Sequence, residues 1–308
     1  MTALRLVVAG SPAAAVPTLT ALAASEHEIV RVITRPATPQ GRKRVLTPTP
    51  VADEAARLGI PVLEARRLNE IESDLMSLSV DLGVIVAYGA LVREPLLSWP
   101  RLGWINLHFS LLPRWRGAAP VQHAVIAGDA RTGATVFQLT EGLDEGDWYA
   151  QVTTPIGAHR TAGSLLDELS RSGADLVREV VDGLAAGTAV AQRQHGDVTV
   201  APKLARDDAA LRWNEPAEAV HARLRGVTPE PGAFTHWGEL VIKVLEATIA
   251  RDAAPLPVGS VHRAGGRVLV GTGSHPLELL RVQPAGKPAM AAVDWARGLP
   301  TDREPVFS

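Results

Sequence analysis

Two polar side chains lie two residues apart near the end of an apolar segment. Asn106 and His108 alternate with Ile105, Leu107 and Phe109, which is the period-two pattern of a β-strand. Side chains at positions i and i+2 of a strand point to the same face, roughly 6.5–7 Å apart. An amide and an imidazole so placed can donate hydrogen bonds to the oxyanion formed when a carbonyl is attacked, and the imidazole can carry a proton at neutral pH. The pair predicts an acyl-transfer site.

A carboxylate in a glycine-rich turn can complete such a site. Asp144 lies between Gly142 and Gly146, which predicts a turn rather than a helix. Its carboxylate can orient the imidazole of His108, stabilise its charged form or accept a proton from an attacking amine. Taken singly, a strand histidine is more often a hydrogen-bonded structural group, and an aspartate in a turn is usually only a turn residue. The combination with Asn106 is what indicates catalysis.

Alternating apolar and helical segments must position these residues. The predicted helices lie between strands and cover 17–24, 50–58 and 69–78. The predicted strands are short apolar segments at 4–9, 28–34, 61–64, 82–86 and 104–109. This alternation predicts a parallel sheet covered on both faces. Because sites in such sheets form outside the carboxyl ends of the strands, the polar pair at the end of 104–109 is suitably placed.

The second half of the chain has a different pattern. The longest predicted helix covers 164–186, and the polar segment that follows it is predicted to be a linker. Beyond a helix at 216–224, short β-like segments separated by glycine and proline favour a small barrel. They lie at 239–246, 259–262, 267–271 and 277–282. We predict an α/β domain over 1–188, a linker over 189–208 and a second domain over 209–308.

Composition limits the possible classes of protein. A chain of 308 residues fits two domains, and 46% hydrophobic residues are enough for globular cores. The formal net charge of −2 gives no global attraction to nucleic acid or membrane, so any contact with nucleic acid must be local. The absence of cysteine excludes disulfides and cysteine-bound metals. We find neither a signal peptide nor an apolar segment of transmembrane length, and expect a cytoplasmic protein without membrane contact.

Three other functions fit the sequence less well. The first turn, beginning at Gly10, lacks the glycine pattern that cradles a dinucleotide, and no phosphate-binding P-loop is present. A serine hydrolase built on Ser110, His108 and Asp144 would need a strained elbow at the serine, which is missing, and Ser110 lies only two residues from His108. A metal held by His108 and Asp144 would need a second histidine at ligand spacing or a cysteine. We predict no metal and no tightly bound cofactor.

The segment 110–120 resembles the signature of the folate-dependent formyltransferases. Segments 8–12, 42–48, 86–89 and 283–287 match further motifs of that family in the same order, so the resemblance covers nearly the whole chain. It implies an N-terminal Rossmann-like domain with a parallel-rich sheet and a C-terminal OB-like β-barrel, and it implies that Asn106, His108 and Asp144 are catalytic. It also implies 10-formyltetrahydrofolate as co-substrate, bound by Ser110, Leu111, Leu112, Pro113, Val86, Ala87, Tyr88 and Gly89.

A basic segment at 34–49 contains no acidic residue. Its prolines and Gly41 predict an irregular loop, which is either a solvated surface or a segment that contacts nucleic-acid phosphates. In the branch of the family that formylates methionyl-tRNA, a basic insertion at this place engages the tRNA acceptor arm. The resemblance therefore implies tRNA contacts by Arg35, Arg42, Lys43 and Arg44.

The resemblance implies transfer of a formyl group from the folate to the amino group of methionyl-initiator-tRNA, for translation initiation. We expect a monomer, and the composition suggests a GC-rich bacterial source. Two alternatives stay open. One is a related formyltransferase with a small amine acceptor such as glycinamide ribonucleotide, from which the basic loop and the C-terminal domain would distinguish it. The other is a non-catalytic RNA-binding protein of the same fold, which would bind tRNA without transferring a formyl group.

Overall fold

A computed structural model describes residues 3–41, 43–299 and 306–308. Its contacts divide the chain into two compact units. The first comprises the described residues of Met1–Pro120, Arg131–Pro155 and Leu166–Ala201, and the second comprises those of Val121–Ala130, Ile156–Leu165 and Pro202–Ser308. Within the described residues, no helix combines the length and the apolar character needed to span a bilayer.

The first unit is built on a seven-stranded sheet in the order β10-β9-β7-β6-β1-β2-β5. Five neighbouring strands are parallel, and β9 and β10 extend one edge in antiparallel orientation. The seven strands are β1 (Arg5–Gly10), β2 (Glu28–Thr34), β5 (Val62–Glu64), β6 (Leu82–Val86), β7 (Trp104–His108), β9 (Arg131–Gln138) and β10 (Trp148–Pro155). The carboxyl ends of β1, β6 and β7 therefore meet at one edge, where a site is expected.

Most elements of this unit begin and end where the sequence predicts. The five predicted strands are confirmed with ends that differ by at most one residue. The helices are α1 (Val16–Ala23), α2 (Pro50–Arg57), α3 (Glu72–Met76) and most of α5 (Ala162–Ala186), whereas α4 (Pro120–Ile126) belongs to the second unit except for its first residue. Single 3₁₀ turns at Ala13–Ala15 and Leu68–Ile71 precede α1 and α3, so the predicted helix 69–78 is shorter and starts with a tighter turn.

One prediction for the basic segment is wrong. Two strands, β3 (Thr38–Gln40) and β4 (Val45–Thr47), form an antiparallel hairpin where an irregular loop was expected. Pro39 is tolerated because this ribbon has only two strands, and each of them is an edge. The chain reverses between the strands with positive φ angles at Gly41 and Arg44.

A third, two-stranded sheet joins distant parts of the first unit. Its strands, β8 (Arg116–Gly117) and β11 (Val200–Ala201), are parallel. The second strand lies in the segment expected to be a linker, and Gln192 of the same segment forms an isolated bridge with Trp148. This part of the chain is thus hydrogen-bonded to the first unit before the second unit continues.

The second unit contains a six-stranded antiparallel sheet in the order β12-β13-β16-β15-β14, with β17 paired to β16. The short β-strands expected for this region are confirmed, and they form an antiparallel sheet. Its elements are α6 (Ala217–Gly226), β12 (Phe234–Trp237), β13 (Leu240–Ile249), β14 (Val261–Ala264), β15 (Arg267–Val270), β16 (Leu277–Pro284), β17 (Met290–Ala291) and α7 (Ala292–Arg297), after a 3₁₀ turn at Asp207–Ala209. Trp213, Trp295 and Phe307 lie in its core.

Candidate active site

The structure brings the three predicted catalytic residues to one cavity. Asn106 and His108 lie on the same face of β7, and Asp144 lies in the turn after β9. All three line a cavity of about 860 Å³ in the first unit. Its walls also include residues 87–94 after β6 and residues 139–143 before Asp144. The cavity is therefore bounded by loops at the carboxyl ends of β6 and β7.

The imidazole of His108 is almost fully buried. Its Nε2 lies 2.8 Å from the carbonyl oxygen of Trp115, and since a carbonyl can only accept, Nε2 carries a hydrogen and donates. Nδ1 faces Oδ2 of Asp144 at 3.6 Å. Burial lowers the pKa of His108 below its ordinary value, while the Asp144 carboxylate and the Trp115 carbonyl oppose that shift. His108 is thus neutral at neutral pH, with Nδ1 available for a proton.

The carboxylate of Asp144 is held by a backbone donor. The amide of Gly117 donates to its Oδ2 at 2.7 Å. Asp144 has a φ angle of 48°, a left-handed conformation that aspartate adopts more readily than most side chains. A charge-assisted hydrogen bond of this kind helps to hold the carboxylate directed at His108.

The amide of Asn106 is available to a substrate. Asn106 is half-buried, and its Oδ1 has no hydrogen-bond partner among the described residues. Buried polar atoms are rarely left unpaired, so each exception calls for an explanation. A substrate N–H that donates to Oδ1 would remove the cost of leaving that oxygen unpaired, and the Nδ2 hydrogens of the same amide are the donors that an oxyanion would accept. The position of Asn106 beside His108 fits the oxyanion role expected for it.

The turn after β6 forms one wall of the cavity. Ala87 and Gly89 have φ angles of 49° and 77°, and the hydroxyl of the buried Tyr88 donates to the carbonyl of Ala65 at 2.7 Å. Burial raises the pKa of that hydroxyl to about 12, so it remains a donor at neutral pH. Ala87, Tyr88 and Gly89 line the cavity, whereas Val86 is fully buried within β6.

The remaining predicted folate residues lie in the loop after β7 but are not among the residues that line this cavity. The hydroxyl of Ser110 donates to the carbonyl of Arg114 at 2.6 Å, and the Ser110 carbonyl accepts from Thr135 at 2.6 Å. Ser110, Leu112 and Pro113 are buried, and Leu111 is half-buried. These bonds fix the loop that carries Trp115, which suits Ser110 to supporting the site.

The structure separates the predicted tRNA-binding residues into two groups. Lys43 and Arg44 are exposed at the turn of the β3–β4 hairpin, and Arg42 lies outside the described residues. The guanidinium of Arg35 instead donates to the carbonyls of Tyr88 and Gly89. Arg35 therefore braces the cavity wall.

A second recess adjoins the cavity, and the sequence reasoning missed it. It has a volume of about 630 Å³ and shares five lining residues with the cavity: Gly89, Ala90, Leu91, Arg93 and Glu94. Four arginines and two glutamates line it: Arg35, Arg66, Arg67, Arg93, Glu72 and Glu94. The adjacent arginines at 66 and 67 were the available signal. Within the described part of the chain, neither they nor Arg93 forms an ion pair, so the recess favours anions.

A Rossmann-like sheet with an asparagine, a histidine and an aspartate around a cavity at its carboxyl edge defines a class of acyl-transfer enzyme. Residues 4–181 match the family model described as formyl transferase, and residues 203–300 match the formyl transferase C-terminal domain. The chain belongs to the formyl transferase family, as its motifs predict.

Similar proteins agree with this membership. The methionyl-tRNA formyltransferase of Clavibacter michiganensis is 56% identical over 97% of this chain and 98% of its own length. That of Leifsonia xyli is 57% identical over 96% and 97%. The crystal structure of an N-formyltransferase from Helicobacter canadensis with folinic acid and dTDP-3-aminofucose superposes with a TM-score of 0.70 at 15% identity, covering 90% of this chain and 98% of that one. At that identity it supports the fold alone.

Proposed function

We propose that this protein transfers the formyl group of 10-formyltetrahydrofolate to the α-amino group of methionyl-initiator-tRNA. The observation that carries the proposal is the arrangement of Asn106, His108 and Asp144 around one cavity. The full-length relatives named as methionyl-tRNA formyltransferases supply the acceptor. The proposal includes a monomer that acts in the bacterial cytoplasm, where charged tRNA is available.

The chemistry follows from the polar groups at the cavity. The amine nitrogen attacks the formyl carbon and forms a carbon–nitrogen bond, while negative charge develops on the formyl oxygen. Asn106 donates to that oxyanion through its Nδ2 group, and His108 donates to it only once Nδ1 is protonated, because Nε2–H is already bound to the carbonyl of Trp115. Asp144 stabilises the protonated form of His108 and helps to remove the amine proton. The bond to N10 of the folate then breaks, and N10 takes up the proton, so atoms and charge balance.

The two recesses suit the two ends of the donor. We place the ring system of the folate in the larger cavity, against the backbone of residues 87–89. Apolar walls with a few directed polar groups are typical of sites for such ligands. The donor also ends in carboxylates, and the unpaired guanidiniums of Arg66, Arg67 and Arg93 are suitable partners for them. Ser110, Leu111, Leu112 and Pro113 then support the site from behind.

The basic hairpin favours a tRNA acceptor over a small amine. Lys43 and Arg44 are exposed at its turn, next to the exposed side chains of Val45 and Leu46. Exposed cations gain affinity for a phosphate backbone by releasing counterions. A small amine has no extended backbone that would reach such a projection. We therefore assign Lys43, Arg44 and the preceding Arg42 to contacts with the tRNA acceptor arm. We give Arg35 a role at the cavity instead.

One assay tests the proposal. The protein is incubated with 10-formyltetrahydrofolate and either methionyl-initiator-tRNA, methionyl-elongator-tRNA or glycinamide ribonucleotide, and the formylated product is measured. We expect rapid formylation of the initiator tRNA and little of the others. Formylation of the small amine alone would establish the first alternative. Tight binding of tRNA without any formylation would establish the non-catalytic alternative.

A further inference from the structure

One side chain of the segment between α5 and β11 turns towards the active-site loops. Every residue of 190–198 is exposed except Gln194, which is half-buried. This segment was expected to be a linker, and in a solvated connector a glutamine has no reason to be covered. The partial burial of Gln194 therefore indicates that its side chain has a partner within the first unit.

The amide of Gln194 uses all of its hydrogen-bonding capacity. Its Nε2 donates to the carbonyls of Asp144 and Gly146, each at 2.8 Å. Its Oε1 accepts from Nη2 of Arg116 at 2.7 Å and from Nε at 3.2 Å. A glutamine amide has two donors and two acceptor positions, and here each has a partner. The opposite orientation would set oxygen against two carbonyls, so the network itself fixes the amide.

These bonds join the two loops that determine where the Asp144 carboxylate lies. One loop contains Asp144 itself, in its left-handed conformation. The other contains Gly117, whose amide donates to that carboxylate, directly after Arg116. Gln194 therefore connects the backbone at Asp144 with the residue adjoining its backbone donor.

The same segment also fixes the other partner of His108. The backbone amide of Trp115 donates to the hydroxyl of Thr199 at 2.9 Å, and the amide of Arg116 donates to the carbonyl of Thr199 at 2.9 Å. The carbonyl of Trp115 is the acceptor for Nε2 of His108. Both groups that face the imidazole are thus held by the segment that ends in β11.

We propose that Gln194 is a positioning residue for formyl transfer, which holds the Asp144 loop so that its carboxylate faces Nδ1 of His108. The inference rests on the proposed function for its kinetic consequences, but the contacts of Gln194 stand independently of it. Gln194 does not line the cavity, so it acts through Asp144 and not on the substrate. Catalysis is sensitive to such support because a displacement of about 1 Å can cost roughly 10²-fold in rate.

Two substitutions and a matched control test this role in formylation assays. Gln194→Ala removes the amide, and Gln194→Glu keeps its length and its acceptors for Arg116 but cannot donate to the two carbonyls. We expect both to lower kcat by about 10–10²-fold, with KM for folate and tRNA within about twofold because Gln194 itself lines neither assigned substrate site. Gln192→Ala, two residues earlier with an exposed side chain, should match the wild type.

A measurement without substrate separates this inference from the proposed function. In hydrogen exchange, the Gly117 amide should lose protection in both Gln194 variants and keep it in Gln192→Ala. Unchanged kcat with unchanged Gly117 protection would overturn the inference, as would full activity in Gln194→Glu or an effect confined to KM. A wild-type protein that formylates nothing would instead refute the proposed function, and the exchange result would still decide whether Gln194 positions Asp144.

Discussion

At the scale of single residues, the site depends on which hydrogen-bond partner each of its polar groups has. The carbonyl of Trp115 accepts the hydrogen bond from Nε2 of His108, and the amide of Gly117 donates to Oδ2 of Asp144. The protein thereby determines which imidazole nitrogen can titrate and where the carboxylate points. Burial keeps the pKa of His108 low, so the proton that it takes up during the reaction is readily passed on. Among the three predicted catalytic residues, Asn106 has a buried amide oxygen without a partner in the described part of the chain.

The first residue-scale prediction concerns His108. Replacing it by alanine removes a proton acceptor that, once protonated at Nδ1, can also donate to the oxyanion, so kcat should fall by about 10²–10⁴-fold. The measurement is steady-state formylation, with melting curves to show that the fold is intact. His195→Ala, an exposed histidine of the same unit, serves as control. Near-normal turnover of the His108 variant would make this histidine structural.

The second residue-scale prediction concerns a histidine of the second unit. His221 is buried, its Nε2 donates to the carbonyl of Ala247 at 3.1 Å, and burial followed by the charge of Arg225 lowers its pKa from 6.5 to about 4. The unfolded state therefore binds more protons between these two values. Stability should fall as pH decreases from about 6.5 to 4, by up to roughly 3 kcal/mol from this group.

Urea unfolding across that pH range checks the assignment. His221→Gln can still donate to Ala247 but does not titrate, so its stability should depend less steeply on pH than that of the wild type. The contribution of His108, whose pKa is also lowered, remains in both proteins. Parallel pH profiles for the two proteins would show that His221 is not protonated on unfolding.

At the scale of elements, apolar periodicity was sufficient to predict a strand or helix where the burial of that element matches its sequence pattern. Strands β1, β6 and β7 were predictable because they are largely buried and read as short apolar segments. Strand β2 and the edge strand β5 are only partly buried. The placing of Asn106 beside His108 also followed from the alternation of a strand. The inclusion of Asp144 rested on its residue type in a glycine-rich turn and on the resemblance, since no local pattern brings a turn 36 positions further along the chain to the end of β7.

Other elements depend on contacts that local pattern does not encode. Strand β9 includes Thr132, Gly133 and Thr135 among its buried positions, so its apolar signal is weak. Gly133 is required because a Cβ there would lie 2.1 Å from the carbonyl of Val152 on β10. Gln194 likewise contacts Arg116 across 78 positions, and the polar sequence around it gave only the signal of a linker.

The element-scale prediction concerns the β3–β4 hairpin. Neutralising Lys43 and Arg44 by glutamine should raise KM for methionyl-tRNA and flatten the salt dependence of binding, because fewer counterions are released. KM for folate should not change, since the donor is assigned to the cavity. Replacing Arg42 in addition should extend the effect. If the hairpin also steers the aminoacyl end towards His108, kcat falls as well.

A charge-matched control separates local contact from net charge. Arg171 and Arg178 are exposed on α5, and their double replacement by glutamine removes the same two charges. This variant should keep wild-type tRNA kinetics. Equal effects in the two double variants would assign the loss to the overall field. No effect in either would leave the hairpin a solvated surface and would reopen the small-amine alternative.

At the scale of the whole molecule, the positions of the cationic side chains explain how a protein with a small negative net charge can bind negatively charged substrates. A net charge of −2 gives a surface without general attraction for nucleic acid. Cationic side chains instead concentrate at two described places, the hairpin turn and the arginine recess beside the cavity. Polyanionic tRNA and a folate with carboxylates are both negatively charged, yet each is assigned its own set of cations. Separate effects on the two KM values follow from that division.

The last prediction concerns how ligands stabilise the molecule. A folate analogue that binds only the native state should raise stability by about 2.7 kcal/mol at a concentration of 100 times its Kd, and Tm by roughly 2–4 °C per kcal/mol. NADH and NADPH should leave Tm unchanged, because the turn after β1 lacks the glycines needed for a pyrophosphate. A Cβ on Gly10 would already lie 2.7 Å from the side chain of Ala15.

Calorimetric scans with each ligand make the comparison, and combining Arg66→Ala with Arg67→Ala should reduce the folate shift if the recess holds its carboxylates. A shift with the nicotinamide cofactors and none with folate would mean that the cavity serves hydride transfer and that the donor assigned to it is wrong.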